Sequence, residues 1–172
     1  MKGCNMNDTW FPTPIETLRK NFVFSDEYSV VSDVCYSIQY LEFLSHELAT
    51  HNLTMVIRKQ IIKNYIIVAS GIIEAIFYTV CKNKEIIKKK SIHFDTLIKL
   101  VLDNNLLSLS SKECLAIHSL RRLRNKVHIY SNTYYYDTSF NSFNFDDYDR
   151  MRDILKIILS NKEISLEYKG NI

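Results

Sequence analysis

The stretch from Leu120 to Tyr130, LRRLRNKVHIY, sets three arginines, an asparagine and a histidine into a leucine pattern of helical spacing. Arginine carries a planar fork of donors that matches phosphate oxygens two at a time, and histidine titrates near neutral pH. Together they can bind a phosphodiester and move a proton. With Arg121 at 0° and about 100° per residue, His128 falls near 340°, Arg124 near 300° and Asn125 near 40°, while Arg122 falls near 100° and points elsewhere. Arg121, Arg124, Asn125 and His128 thus share one polar face, beside a core stripe of Ala116, Leu120, Leu123 and Val127. Such a face suits a groove or a subunit interface; it also suits a solvated helix whose arginines pair with carboxylates and whose histidine sits well at the helix end.

Holding that face in place requires a bundle. A chain of 172 residues with 47% hydrophobic content forms one domain, large enough to bury roughly 70% of its unfolded surface. Only three glycines and two prolines occur, too few for an all-β fold or a linker. Residues 1–24 hold both prolines, Pro12 and Pro14, and show no sustained period; they read as an irregular arm anchored by Trp10 and Phe11. The helical domain then spans 25–172. Ser25 is the expected N-cap of a long helix reaching about Asn52, with Val31, Val34, Cys35, Ile38, Leu41 and Leu48 at helical spacing. A second long helix, about Thr54 to Cys81, should turn straight back antiparallel to it. FDTLIKLVLD predicts a short helix, Asn104-Asn105 a turn, and Ser110 or Ser111 the cap of a fourth helix running to about Tyr130. SNTYYYDTSFNSFNFDD reads as a loop with a short β-like piece at TYYY. DDYDRMRDILKIILSNK closes the bundle with an acid-rich first turn, and EISLEYKGNI is a tail.

Several chemistries are disfavoured. Cys4, Cys35, Cys81 and Cys114 form no CxxC pair and read as reduced thiols. The five histidines form no HExxH or comparable cluster, so neither metal nor cofactor is expected. No apolar run is read as approaching the roughly 18 uncharged residues of a membrane span, and the first residues lack the order of a signal peptide. A cytoplasmic protein with no membrane partner is the expectation. The net charge of +3 is too small to imply nucleic acid by itself. The charge that does cluster lies in NKEIIKKKSIHF, where Lys84, Lys88, Lys89 and Lys90 mark a solvated loop.

LRRLRNKVHI, preceded by FDTLIKLVLDNNLLSLSSKECLAIHS and by a helix carrying GIIEAIFYTV, resembles the HEPN superfamily of small α-helical nucleases and nuclease-derived domains, over Thr54 to Tyr130 and the closing helix. The resemblance implies a four- to five-helix bundle that dimerises, so that the Arg and His motifs of two subunits meet in one cleft. The family motif is an arginine, usually followed by a polar residue such as asparagine, then a histidine after four to six residues, an interval that Arg121 and Arg122 meet and Arg124 does not. His128 matches the histidine. Arg124 leaves three residues before it, Arg122 five and Arg121 six, and Asn125 matches the polar residue if Arg124 is the motif arginine. Glu74 resembles the acidic residue of the preceding long helix that orients an arginine.

The activity so implied is a metal-independent endoribonuclease of toxin-antitoxin or antiviral type. The RNA 2′-hydroxyl is the nucleophile, His128 moves the proton, Arg121 or Arg124 stabilises the charged phosphorane, and Asn125 holds the histidine or a phosphate oxygen. Lys84 and Lys88 to Lys90 would attract phosphate, and Tyr130 with its neighbouring tyrosines would stack unpaired bases. RNA, a second copy of the chain and a cognate antitoxin protein are the expected partners. The alternative is the same dimer without catalysis, binding RNA or a protein.

Overall fold

A computed structural model describes residues 10–88, 92–125 and 142–172. Six helices follow one another: α1 (Ile15–Asn21), α2 (Tyr28–Thr50), α3 (Met55–Asn83), α4 (Phe94–Asp103), α5 (Ser111–Asn125) and α6 (Phe145–Leu159). Among the described residues there is no strand, only an isolated antiparallel bridge between Phe22 and Ser165. The fold is all-α over the described residues, and the scarcity of turn formers had argued against an all-β one.

The connection 51–54 is too short for anything but a reversal, so α2 and α3 pack side by side in opposite directions. Thr54 caps α3, its hydroxyl accepting from the Ile57 amide at 3.4 Å. Ser25 does not cap α2. That helix begins later, at Tyr28, and Ser25 Oγ instead accepts from the Glu27 amide at 3.1 Å, shaping the turn before the helix. Asp26 and Glu27 therefore precede the first turn rather than fill it.

α3 is the axis of the bundle, in contact with α2, α4, α5 and α6. A helix with neighbours on so many sides is apolar nearly all round, and Ile62, Tyr65, Ile66, Ala69, Ile73, Ile76 and Phe77 are all buried. This corrects the expectation that no segment approaches a membrane span. α3 is long and apolar enough to cross a membrane by length and composition, but most of the stretch is buried against its neighbours, which accounts for its composition. α6 begins at an Asn144 cap, whose Oδ1 accepts from the Asp147 amide at 2.9 Å, and places Met151, Ile154, Leu155 and Ile158 in the core.

The arm and the tail differ from expectation. Residues Ile15–Asn21 form α1, started by Pro14, whose carbonyl accepts from the amides of Thr17 and Leu18 at 3.0 and 3.1 Å. Proline at a helix start has no amide to leave unpaired and a φ already suited to the helix, so the residue that argued against regular structure begins it. The segment after α6 is no free tail: Ile164 and Ile172 are buried. It runs beside the arm, with Val23 N donating to Ile164 O at 2.9 Å and Leu166 N to Asn21 O at 2.8 Å. Glu42 of α2, buried at 1% exposure, ties both ends to the bundle. Its carboxylate accepts from Thr13 N, Thr13 Oγ1 and Asn171 N at 2.6, 2.7 and 2.6 Å.

Candidate functional site

Ser110, not Ser111, caps α5. Its hydroxyl accepts from the Glu113 amide at 3.3 Å, and the Glu113 carboxylate accepts from the Ser110 amide at 2.6 Å, a reciprocal capping box. The buried residues of α5 are Cys114, Ile117 and Leu120, whereas Ala116 and Leu123 are only partly buried. Taking Leu120 as 0°, Ile117 and Cys114 fall near 60° and 120°, so the buried direction lies at roughly 60°, turned from the expected stripe. By the same count Arg124 falls near 40° and Arg121 near 100°, inside the buried arc and at its C-terminal end, and Arg122 near 200°, roughly opposite. Burial follows this geometry: Arg121 and Arg124 are half-buried, while Arg122 and Leu115 are exposed.

Arg124 Nη2 lies 3.6 Å from Glu74 Oε2, across the packed α3–α5 contact. The two side chains are 39% and 31% exposed, so solvent screens the pair and it adds little to stability. Its consequence is orientation. Asn125 Oδ1 sits 3.5 Å from Arg124 Nη1, at the outer limit of a hydrogen bond. Arg121 is less engaged: its Nε is buried without a hydrogen-bond partner among the described residues. The margin of α5 therefore holds one guanidinium fixed by a carboxylate and a second with an unspent donor.

His118, one turn before Arg121, was not singled out from the sequence. Burial, then Arg121, Lys99 and Arg122, push its imidazole below the ordinary 6.5, and Asp95 opposes them. The signal was present as the His118–Arg121 spacing at i,i+3, which places both on neighbouring helix surface, but the later histidine drew the motif away from it. Since the folded value lies below the unfolded one, protonation favours the unfolded chain, and this site's contribution to stability is lost as pH falls from about 6.5 through the folded value. An NMR titration is expected to place His118 below the usual imidazole range, and Arg121→Ala to move it upward; an unchanged titration in that variant would remove Arg121 as a neighbour that matters.

His128, Tyr130, Lys89 and Lys90 lie outside the described residues, as do Val127, Cys4 and the TYYY segment. Lys84 and Lys88 are exposed, and Lys84 Nζ is 3.8 Å from Glu163 Oε2. The three described cysteines are free and buried, and burial pushes the Cys35 thiol up to about 11, which leaves it a poor nucleophile. Among the described residues no group of three or more histidines, cysteines or carboxylates could hold a metal ion. No family model, curated protein or solved structure matches the chain.

Proposed function

We propose that this chain is a metal-independent endoribonuclease of HEPN type, acting in the cytoplasm as a homodimer in toxin-antitoxin or antiviral defence. The observation that carries the reading is the Arg124–Glu74 pair. A carboxylate on the central helix pairs with an arginine in the last turn of α5, four positions before His128 in the sequence. In this mechanism His128 takes the proton of the 2′-hydroxyl, the oxygen attacks phosphorus, and the 5′-oxygen leaves with a proton supplied by a second imidazole. The arginines stabilise the negative charge that gathers on the phosphorane. His128 is the one histidine of the motif, so in this reading the second acid or base comes from the motif of a second copy. We seat that copy in the groove between α2 and α3, lined in part by Val68, Gly71 and Ala75, the last of them next to Glu74 in the sequence.

The Arg124–Glu74 pair also favours a second reading. An arginine already neutralised by a carboxylate suits a dimer that binds RNA or a protein, with or without a cognate antitoxin, and cleaves nothing.

The test is incubation of the purified protein with a short RNA and the DNA of the same sequence, with and without EDTA. Cleavage of RNA alone, unaffected by chelation and leaving a cyclic phosphate or 3′-phosphate end, is expected, because DNA lacks the nucleophile and no metal-bound water is used. Cleavage abolished by EDTA would place the chemistry on a metal. Retained binding without cleavage would establish the binding module instead.

A further inference from the structure

Away from the α5 arginines, where the C-terminal half of α2 meets the first turns of α6, a pocket of about 470 Å³ opens beside Trp10. Its size falls within the range of small-molecule sites. The Trp10 indole stacks on the His46 imidazole at 4.3 Å with an angle of 10° between planes. Phe145 and Tyr148 meet edge to face at 6.5 Å and form a second aromatic wall. Tyr148 is held in place by its hydroxyl, which donates to Ser45 Oγ at 3.0 Å.

At the rim, Arg152 Nη2 lies 3.2 Å from Asp149 Oδ1, and its guanidinium carbon is 5.5 Å from the Tyr148 ring centre. Arg152 Nε is buried without a hydrogen-bond partner among the described residues. That atom is closed to solvent and so to a ligand; what the pocket offers is the exposed part of the Arg152 side chain, 36% of it, beside Asp149. Glu42 forms part of the lining, but its carboxylate already accepts from Thr13 and Asn171.

These features select among ligands. With Arg152 positive and Glu42 and Asp149 negative, the described lining is not a phosphate cradle. An organic cation would find aromatic faces and acidic neighbours, but the Arg152 guanidinium already stands over Tyr148 and repels it. A flat, uncharged heterocycle meets neither objection. The aromatic walls accept its faces, and the Arg152–Asp149 pair offers a donor and an acceptor side by side to its edge, the pattern that a base presents in return.

We infer that this pocket binds an uncharged nucleobase, whether in a free nucleoside or as an unstacked base of a single strand. The inference uses none of the residues assigned to cleavage, so either can fail without the other. Trp10 is the sole tryptophan of the chain, and its fluorescence therefore reports on the pocket directly. The experiment titrates the protein with adenosine, guanosine, cytidine and uridine, their 5′-monophosphates, a short single-stranded RNA and choline, exciting Trp10 at the red edge where bases do not absorb.

Saturable quenching by at least one nucleoside is expected, with a dissociation constant on the order of 0.1 mM and no gain from the 5′-phosphate. The same titration should weaken at least ten-fold in Phe145→Ala and Arg152→Gln, each checked for native helicity. Asp149→Asn, at an exposed side chain, removes the charged acceptor without threatening the fold and should shift the preference among the four bases. A strand binding more tightly than the nucleosides assigns the site to a base of RNA, and the reverse order assigns it to a free nucleoside. The inference is overturned if no nucleoside quenches at about 10 mM, a hundred-fold above that affinity, if choline is the preferred ligand, if the phosphate dominates binding, or if folded Arg152→Gln and Phe145→Ala bind as before.

Discussion

Arg124→Ala is expected to lower single-turnover cleavage of a short RNA by about 10²–10³-fold, the loss that follows when one preorganised donor to a developing negative charge is removed. Arg124 is singled out because Glu74 fixes its guanidinium, at 3.6 Å, on the half-buried margin of α5. Arg121→Ala should also cost orders of magnitude, since Arg121 is half-buried on the same face of α5. Arg122 is exposed on the far side of the helix, so Arg122→Ala should stay within a few-fold of the parent. Glu74 acts only through the arginine. Glu74→Gln should lower the rate less than Arg124→Ala does, and adding it to Arg124→Ala should cost nothing further, because residues in contact are coupled. Dimerisation and helicity of each variant must match the parent. If Arg122→Ala is the inactive variant while Arg121→Ala and Arg124→Ala cleave normally, the catalytic face is misassigned.

That asymmetry among the arginines was partly legible in the sequence. A rotation of 100° per residue separates Arg122 from its neighbours wherever the core lies. The core's own position was not legible, because the leucines suggested Ala116, Leu120, Leu123 and Val127, whereas Cys114 and Ile117 are the buried partners of Leu120. Only the packing against α3, α4 and α6 selects between two adjacent apolar stripes. Glu74 could be paired with an arginine through the family resemblance alone, since fifty positions separate it from Arg124 and no helical period spans them. The antiparallel α2 and α3 pair was readable, since two long helical runs with a four-residue break leave the chain one route. α1 was missed because seven residues hold too few turns to show a period and because Pro14 reads as a breaker until it is seen at the helix start. The segment after α6 was read as a tail because Ile164 and Ile172 are isolated apolar residues; the backbone that pairs with it is the arm, at the other end of the chain.

The same distance in sequence hides Glu42, which sits in an amphipathic helix where a carboxylate would ordinarily face water. Its three acceptor contacts reach back to Thr13 and forward to Asn171, the second lying 129 positions away. Thr13 is itself held from α2 a second time, its carbonyl accepting from Gln39 Nε2 at 2.9 Å. Glu42→Ala removes one side chain and leaves two amides and a hydroxyl without their acceptor in a buried place, where each unmatched group costs about 1–3 kcal/mol before local opening admits water. With that relief, a net loss of about 2–4 kcal/mol is expected, and at about 2–4 °C per kcal/mol for a domain of this size the melting temperature should fall by roughly 5–15 °C. Glu42→Gln keeps one carbonyl oxygen but turns an amide group toward a donor, so it should lose about half as much or more, whereas Glu42→Leu should not rescue, because the three donors stay unmatched. The signature is spatial as well as thermal. In hydrogen exchange, residues 13–24 and 161–172 should lose protection together, while the core of α3 around Ile66 and Ile73 keeps its own, because the clasp joins the chain ends to the bundle and not the bundle helices to each other. A variant that melts like the parent, or one in which α3 opens along with the ends, would mean that the bundle and its ends are held by something other than this carboxylate.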